Sequence, residues 1–204
     1  YGNLGLKPET SKTLEAGFEL EVMRNVLNFN FSWFDRSIRD VIAFGAIGSR
    51  FGYINQDRQN DQGYEAELAI SPGGAMDFTA FFAHVDGEIT TPSGTGFNLY
   101  RRPKNTVGAT AGVHAGPKLD LNLIYKWVDA RRDQYYDASI PPFGETVMVT
   151  LEPYHMVDLY VQYRPFRKFM VFSEVKNLMD TAYSDFAGFN TSGRTLTAGL
   201  RIGL

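Results

Sequence analysis

Few side chains in this sequence have the types and the spacing that chemistry on a bound substrate requires. The three histidines, His84, His114 and His155, lie on separate segments, without the close His/Asp/Glu spacing of a metal site. No Gly-x-Ser-x-Gly motif, paired metal ligands or Ser/His pattern suggests a nucleophile with its base. We therefore expect no enzyme activity, no metal and no cofactor. Each histidine is expected to line a polar surface or to join an aromatic girdle.

Charged residues are equally poor candidates for catalysis or for nucleic-acid binding. The chain has a formal net charge of -3 and contains no basic run, so nothing indicates a nucleic-acid partner. A mixed charge cluster at residues 129–133 (Asp-Ala-Arg-Arg-Asp) precedes a long loop, and we expect it to form a solvated loop base. Cysteine is absent, which excludes disulfide bonds, so strand pairing and packing must hold the fold together.

Aromatic side chains in two long, loop-like segments are the best candidates for binding. Residues 130–153 contain Tyr135 and Tyr136, and residues 90–103 contain Phe97 and Tyr100. Flat rings offer a large contact area at a modest entropy cost. These four residues are therefore predicted to contact a bulky ligand, although bracing of the loops against one another would explain the rings equally well.

The segments between these loops alternate apolar and polar residues with a period of two, which predicts β-strands. In residues 12–23, for example, Leu14, Phe18 and Leu20 alternate with Glu15 and Glu19. No segment shows a sustained helical period, so we expect very little helix. Nine strands are predicted, at residues 12–23, 27–33, 63–70, 76–89, 107–114, 119–127, 157–164, 169–178 and 195–204.

The connections between the predicted strands alternate in length. Tight Gly/Pro-type turns lie at residues 24–25, 71–74, 116–117 and 164–168, whereas long connections span residues 45–52, 90–103, 130–153 and 179–193. Outer-membrane barrels have short periplasmic turns, long extracellular loops and strands of about 9–11 residues. The pattern favours an all-β fold, a transmembrane antiparallel up-and-down β-barrel. A soluble β-sandwich or a lipocalin-like barrel would alternate too, and it stays as the alternative.

A barrel in a membrane makes specific demands on its faces and edges. One face should be apolar and point toward lipid, and the other should be polar and point toward the lumen. Aromatic residues such as Phe18, Trp33, Trp127 and Tyr163 are expected near strand ends, as an interfacial girdle. Nine strands cannot close a bacterial single-chain barrel, in which the number is even. We therefore expect the first and last strands to pair on one side only, with the remaining strands outside this chain. The predicted outward set is Leu14, Phe18, Leu20, Phe29, Phe31, Val107, Val113, Leu121, Leu159, Val161, Leu196, Leu200 and Ile202, and the predicted inward set is Glu15, Glu19, Glu65, Glu67, Asp120, Asn122, Gln162, Thr197 and Arg201.

Six short motifs, in order along the chain, resemble those of TonB-dependent receptors. Residues 3–12 (NLGLKPETSK) resemble the N-x-x-L-K-P-E-T-S signature. Residues 14–19 (LEAGFE) and 63–67 (GYEAE) are similar to the E-x-G-x-E and G-[VY]-E-x-E strands. Three further matches are residues 102–106 (RPKNT) to the R-x-P-x-N/H strand start, residues 175–183 (VKNLMDTAY) to V-x-N-L-[FL]-D-x-x-Y, and residues 188–194 (GFNTSGR) to the G…G-R of the final loop.

The resemblance implies a 22-stranded barrel with an N-terminal plug inside it, of which residues 1–204 would supply the last nine strands. The plug and the earlier strands would not be present in this chain. Such receptors lie in the outer membrane of Gram-negative bacteria and import scarce bulky ligands, such as siderophores, haem, cobalamin or glycans, with energy from the TonB complex. The implied partners are the rest of the barrel and the plug, the TonB complex through the plug region, membrane lipid, lipopolysaccharide and a surface lipoprotein. A passive porin, or a structural or secretion barrel without a plug, stays as the alternative.

The motifs also contain residues for which a structural role is expected. Residues 7–10 (KPET) are predicted to form a turn. Asn177 and Asp180 are expected to shape a loop by bonding neighbouring backbone groups. Leu204 departs from the aromatic residue with which chains of the family usually end. Ion pairs in the lumen are expected too, between Arg194 or Arg201 and carboxylates such as Glu174 or Glu67.

Overall fold

The computed structural model describes residues 2–47, 50–55, 58–91, 94–97 and 100–203, so Leu204 lies outside the described residues. For residues 44–47, 50, 51, 91, 94, 95 and 97 the description is confined to the backbone. The described residues form fourteen strands, and none of them lies in a helix long and apolar enough to cross a membrane. The strands are β1 (Thr10–Met23), β2 (Leu27–Arg39), β3 (Ile42–Ile47), β4 (Arg50–Asn55), β5 (Arg58–Ile70), β6 (Met76–Thr91), β7 (Gly94–Phe97), β8 (Asn105–Ala115), β9 (Leu119–Val128), β10 (Arg131–Asp137), β11 (Glu145–Leu151), β12 (Tyr154–Phe166), β13 (Phe169–Lys176) and β14 (Thr195–Ile202).

Nine of these strands form one continuous antiparallel sheet whose spatial order, β1-β2-β5-β6-β8-β9-β12-β13-β14, follows the chain. The predicted up-and-down order is therefore confirmed for these nine. The predicted total of nine strands is wrong, because five shorter strands lie in or beside the connections predicted as loops. Of these, β7 pairs with β6, β3 pairs with β4, and β10 pairs with β11.

The sheet is open within the described residues. There, β1 pairs only with β2 and β14 pairs only with β13, as predicted for the first and last strands. Each of these edges presents unpaired backbone N–H and C=O groups, which are the groups that a neighbouring strand would bind.

Cross-strand register gives the sheet one apolar and one polar face, because paired residues in an antiparallel ladder point to the same side. Phe18 pairs with Phe31, and Glu19 pairs with Asn30, which in turn pairs with Glu67. The same alternation continues through every pair of neighbouring strands to β14. The residues predicted to point outward therefore share one face, here called the apolar face, and those predicted to point inward share the other, here called the polar face.

A ladder of aromatic rings crosses the apolar face on β1, β2, β5 and β6. Ring centroids lie 5.7 Å apart for Phe18 and Phe31, 6.3 Å for Phe31 and Tyr64, and 5.1 Å for Tyr64 and His84. Such offset aromatic pairs stabilise a sheet beyond the area that they bury. His84 thus belongs to the aromatic girdle, one of the two roles expected for the histidines.

The predicted position of the girdle is confirmed for two of its four residues. Trp127 and Tyr163 lie near the ends of β9 and β12, whereas Phe18 and Trp33 lie near the middle of β1 and β2. The physical reason is that these strands, of 14 and 13 residues, exceed the length of a membrane crossing. Beyond the rings the same face becomes polar, with Asp35 opposite Gln62 and Gln62 opposite Asp86.

The buried residues gather at one end of the sheet. We call the end where the long connections join the strands the long-loop rim, and the opposite end the short-turn rim. A single-layer sheet leaves most side chains partly exposed on both faces, whereas loops that fold over a rim can cover it. The buried side chains of the described residues are Val41, Val128, Leu151 and Tyr154, together with the polar Asp61, Arg131, Asp133 and Asn177.

Residues 7–10, which lead into β1, are hydrogen-bonded to the β3–β4 hairpin at the long-loop rim. The backbone N–H of Lys7 donates to Asn55 Oδ1 at 2.8 Å, and Asn55 Nδ2 donates to the Lys7 carbonyl at 2.9 Å. Glu9 accepts a hydrogen bond from the backbone N–H of Ile42 at 2.6 Å. The segment is extended, so the predicted turn is wrong. The hairpin supplies the hydrogen-bond partners that a turn would have supplied within the segment.

Candidate ligand-facing rim

The four predicted ligand contacts lie at the long-loop rim but not on one surface. Tyr135 and Tyr136 are consecutive in β10, so their side chains point to opposite faces of the β10–β11 hairpin. Tyr136 is 61% exposed, and its hydroxyl donates to the Phe143 carbonyl at the hairpin tip. Tyr100 is partly exposed in the turn beside β10, next to Arg101, whose N–H donates to the Arg132 carbonyl at 2.8 Å. The side chain of Phe97 lies outside the described residues.

A buried arginine connects the hairpin to the loop before β14. Arg131 is 5% exposed and donates from Nη1 to Asp185 Oδ1 at 2.8 Å and from Nη2 to the Ser184 carbonyl at 2.7 Å. Its guanidinium carbon lies 5.1 Å from the centroid of the Tyr154 ring, which is a cation–π distance. The Tyr154 hydroxyl donates to the same Asp185 oxygen at 3.1 Å. One guanidinium thus contacts a carboxylate, a carbonyl and an aromatic face.

A fully buried carboxylate makes the second connection. Asp133 exposes no surface, and Oδ1 accepts from Arg101 Nε at 2.6 Å and from the Gln134 N–H at 2.7 Å. Oδ2 accepts from the Ala187 N–H at 2.8 Å. We call Arg101, Arg131, Asp133, Tyr154 and Asp185 the rim cluster. It joins four segments: the turn at Arg101, β10, the start of β12 and the loop before β14.

The rim cluster corrects the interpretation of residues 129–133 as a solvated loop base. Alternation along β10 places Arg131, Asp133 and Tyr135 on one face of the strand, and the loop before β14 covers the first two of them. Tyr154, which Arg131 contacts, pairs with Val128 on the polar face of the sheet. The cluster and the covered face of β10 therefore lie on the polar-face side of the rim.

The hydrogen bonds to Asp133 make the rim cluster sensitive to pH. Burial raises the pKa of the Asp133 carboxyl, but the N–H donors of Ala187, Arg101 and Gln134 outweigh it and hold the pKa below its usual value. A carboxyl whose pKa is lower in the folded state stabilises that state fully above its unfolded pKa of about 3.9. This stabilisation is lost as the pH falls through the folded pKa.

We therefore expect the β10–β11 hairpin of the full-length protein to resist, at pH 5, an acid protease that is active at both pH values, and to become susceptible to it below about pH 4. The amide of Asp133→Asn carries no charge at any pH, so the variant lacks this stabilisation of the folded state even at pH 5. Its hairpin should therefore be cleaved at pH 5 as well. Mass spectrometry of released peptides from residues 138–144 measures the cleavage. Equal cleavage of the two proteins at every pH would contradict the assignment of this sensitivity to Asp133.

Asn177 and Asp180 shape the loop that covers the rim cluster, as predicted. Both residues have positive φ angles, 52° and 54°, in the left-handed region that Asn and Asp tolerate. The Asn177 side chain closes a ring with Thr181, donating to its carbonyl at 2.9 Å and accepting from its N–H at 2.8 Å. Asp180 accepts from the Arg194 N–H at 2.7 Å, which holds the two ends of the loop together.

A second polar network lies on the polar face near the short-turn rim. His114 contacts Asp120 through Nδ1 and Asp77 through Nε2, each at 2.8 Å. Asp120 also accepts from Gln162 Nε2 and Arg164 Nη1, both at 2.9 Å. The polar-lining role expected for a histidine is confirmed for His114, but the carboxylates around it were not predicted. Among the described residues, no group of three or more His, Asp and Glu has the arrangement of a metal site.

The ion pairs predicted for the lumen are wrong in their partners. Neither Arg194 nor Arg201 forms an ion pair with Glu174 or Glu67 in the described part of the chain. Glu174 lies 3.7 Å from Lys176 Nζ, and Glu67 accepts a long hydrogen bond from Asn30 Nδ2 at 3.4 Å. Register explains the difference, because Glu174 pairs with Thr197 and not with either arginine.

Sequence comparison places these features in a family. Residues 1–178 match the family described as TonB dependent receptor-like, beta-barrel. The vitamin B12 transporter BtuB of Vibrio cholerae is 25% identical over 202 residues, which cover 95% of this chain and 30% of the transporter. The chain thus spans about 30% of the length of the curated relatives that it matches.

Solved structures share the fold. The pyoverdine outer membrane receptor FpvA of Pseudomonas aeruginosa PAO1, bound to pyoverdine, superimposes with a TM-score of 0.80 at 20% identity, over 98% of this chain and 30% of that chain. The siderophore receptor PirA of Acinetobacter baumannii superimposes with a TM-score of 0.75 at 19% identity, over 97% of this chain and 32% of that chain. The sequence match over residues 1–178 and the antiparallel sheet lead to the same conclusion. The chain belongs to the TonB-dependent receptor β-barrel family, whose members are outer-membrane proteins of Gram-negative bacteria.

Proposed function

We propose that this chain forms the closing part of the barrel wall of an active importer. In the complete receptor, the long-loop rim captures a scarce bulky ligand, such as a siderophore, haem, cobalamin or a glycan. A plug inside the barrel and energy from the TonB complex then drive import. The observation that carries the proposal is the family match over residues 1–178. The chain covers about 30% of its relatives, so the plug and the opening strands belong to the proposal as well.

In this proposal the long-loop rim is extracellular, because outer-membrane barrels keep their short turns in the periplasm. The apolar face contacts lipid up to the aromatic girdle. Beyond the girdle, the same face turns three polar side chains toward the lipopolysaccharide layer, those of Asp35, Gln62 and Asp86. Asp86 forms an ion pair with Lys104 there, with Nζ and Oδ1 2.8 Å apart. A surface lipoprotein, if the receptor uses one, would bind the exposed side of the β10–β11 hairpin.

The polar face supports a filled lumen. Glu15, Glu19, Glu65 and Glu67 lie on this face of β1 and β5, and none of them forms an ion pair with a described residue. Like charges on one wall repel each other unless a cationic surface comes close. A plug with a basic surface would neutralise them, whereas an open pore would leave them to water. We therefore favour a plugged importer over a passive porin.

The proposal is tested by uptake into cells that carry the complete receptor, with and without a functional TonB complex. The probes are ferric pyoverdine, ferric enterobactin and cobalamin, each radiolabelled. An importer should give saturable uptake of at least one probe, and loss of TonB should abolish that uptake while leaving binding at low temperature intact. Uptake that does not saturate and does not need TonB would establish the porin alternative.

Among the four candidate contacts, Tyr135 is expected to contribute most to capture, because it shares its face of β10 with Asp133 on the polar-face side of the rim. Tyr135→Ala should weaken equilibrium binding about tenfold, as loss of a central aromatic contact does. Tyr136→Ala, on the opposite face of the same strand, is the matched control and should change binding less than about twofold. Unchanged binding after replacement of Tyr100, Tyr135 and Tyr136 together, in a correctly assembled receptor, would leave these rings with a structural role only.

A further inference from the structure

We propose that Asp133 is a positioning residue for ligand capture, which holds the β10–β11 hairpin in one place above the barrel. Asp133 does so by joining the hairpin to the loop before β14 and to the turn at Arg101. The inference rests on the proposed function, because it assigns to the rim cluster the task of placing a ligand-binding surface. It goes beyond that function in naming the residue on which the placement depends.

The first argument is the burial of Asp133 and the origin of its hydrogen-bond donors. A carboxylate with no exposed surface is stable only where several donors replace water. One donor, Gln134, is the next residue in the hairpin, but the other two come from 32 and 54 residues away. Ala187 donates a backbone N–H, so this bond fixes the path of the loop and not merely a side chain.

The second argument is that the hairpin has no neighbouring strand beside it within the described residues, although it continues the β9–β12 pair in the same register through residues 129–130 and 152–153. Within the described residues, β10 and β11 pair only with each other and add no strand to the main sheet. A two-stranded hairpin is marginally stable on its own in water. The rim cluster therefore holds the hairpin against the loop before β14 and the turn at Arg101, in addition to its two chain links to the main sheet.

The third argument connects Asp133 to a binding surface. Tyr135 follows Asp133 on the same face of β10, about 7 Å further along the strand. Fixing the carboxylate therefore fixes the direction in which the Tyr135 ring is presented. A surface that is ordered before the ligand arrives binds more tightly, because ordering costs less free energy during binding. Asp133 can thus act on the ligand through Tyr135 without touching the ligand itself.

The test uses the complete receptor in the outer membrane and replaces the polar connection with a covalent one. Residues 1–204 contain no cysteine, so Asp133→Cys with Ala187→Cys adds one cysteine pair to this part of the receptor, at the position of the Asp133–Ala187 bond. The disulfide ties the hairpin to the loop without the carboxylate, and a reductant releases it. Asp133→Ala removes the bonds to Arg101 and Ala187 and leaves those of Arg131 in place. Asp137→Ala is the matched control, because Asp137 lies near the hairpin tip and the hydrogen bonds found for its carboxylate among the described residues are to Ser139.

Two readouts are measured for each protein. Cleavage by chymotrypsin after Tyr135, a bond that no variant alters, reports on whole cells whether the hairpin is held, with no ligand present. Equilibrium binding of whichever of ferric pyoverdine, ferric enterobactin and cobalamin the wild-type receptor binds reports capture. Resistance of the barrel to SDS before heating confirms assembly of each variant.

The expected result is that Asp133→Ala makes the bond after Tyr135 accessible to chymotrypsin and weakens ligand binding about tenfold, whereas Asp137→Ala changes neither readout. The oxidised double-cysteine receptor should recover both, and reduction should remove both again. Wild-type affinity in an assembled Asp133→Ala receptor, or equal affinity of the double-cysteine receptor in its two redox states, would overturn the positioning role. If the wild-type receptor binds none of the three probes, the proposed function fails first, and the positioning role fails with it.

Discussion

Replacing Asp61 by alanine is expected to lower the free energy of unfolding of the complete barrel by about 3 kcal/mol, at the low end of the range for a broken buried ion pair. Asp61 is 1% exposed on the polar face and accepts hydrogen bonds from Arg36 and from Gln59 Nε2, the latter at 3.0 Å to the nearer oxygen. Its removal leaves the Arg36 guanidinium half-buried without its carboxylate. The effect stays at the low end because about a third of the Arg36 side chain is exposed to water.

Urea unfolding of the receptor in lipid vesicles, followed by tryptophan fluorescence, measures this loss. The control is the double variant Arg36→Met with Asp61→Leu, which replaces both charges by apolar groups of similar size. Since a buried ion pair replaced as a unit is often neutral for stability, the double variant should be within about 1 kcal/mol of wild type. A double variant as unstable as Asp61→Ala would show that the pair is needed for more than mutual neutralisation.

The second large effect is expected for Gly63→Ala, which should destabilise the barrel by about 3 kcal/mol, the upper end of the range for overpacking. A methyl group at this position of β5 would collide with the carbonyl oxygen of His84 on β6 and would lie 2.7 Å from Cζ of Phe34 on β2. A backbone oxygen inside a strand ladder cannot move without disturbing the hydrogen bonds of β6. Relief would therefore require a shift of the strand and not only of the Phe34 ring.

Gly108→Ala provides the comparison for this prediction. A methyl group there would collide only with the ring of Phe81, a side chain on the neighbouring strand that can rotate away. We expect the cost to be about 1 kcal/mol, the lower end of the overpacking range. The same vesicle-based unfolding measurement applies to both variants. A loss for Gly108→Ala equal to or larger than that for Gly63→Ala would refute the distinction between backbone and side-chain crowding.

The main sheet could be predicted because its signal is local. Period-two alternation identifies each long strand, and once the strands are in order, the requirement for one apolar face fixes their register. The β10–β11 hairpin escaped prediction because β10 (RRDQYYD) contains no aliphatic residue, so its alternation is between polar groups. Phe18 and Trp33 were misplaced for a related reason, since the polar strand ends beyond Tyr64 and His84 resemble the start of a loop.

The candidate site was predictable in its aromatic residues and not in its charges. Tyr135 and Tyr136 stand out because rings in long loops are uncommon and suggest contact. Asp133 could not be recognised as buried, because its partners Arg101 and Ala187 are 32 and 54 residues away and leave no local pattern. The contact of His114 with Asp120 spans a tight turn and could have been found, whereas that with Asp77 crosses 37 residues.

Three phenylalanines on the polar face, Phe34, Phe81 and Phe172, each lie across a glycine of the neighbouring strand, at positions 63, 108 and 199. A phenyl ring that packs over a glycine occupies the space that a side chain would have filled, so it projects less far from the sheet. The polar face is therefore smoother at these three places than its bulky residues suggest. In the importer proposed above, a plug would slide or rotate past such a wall without being caught on large side chains.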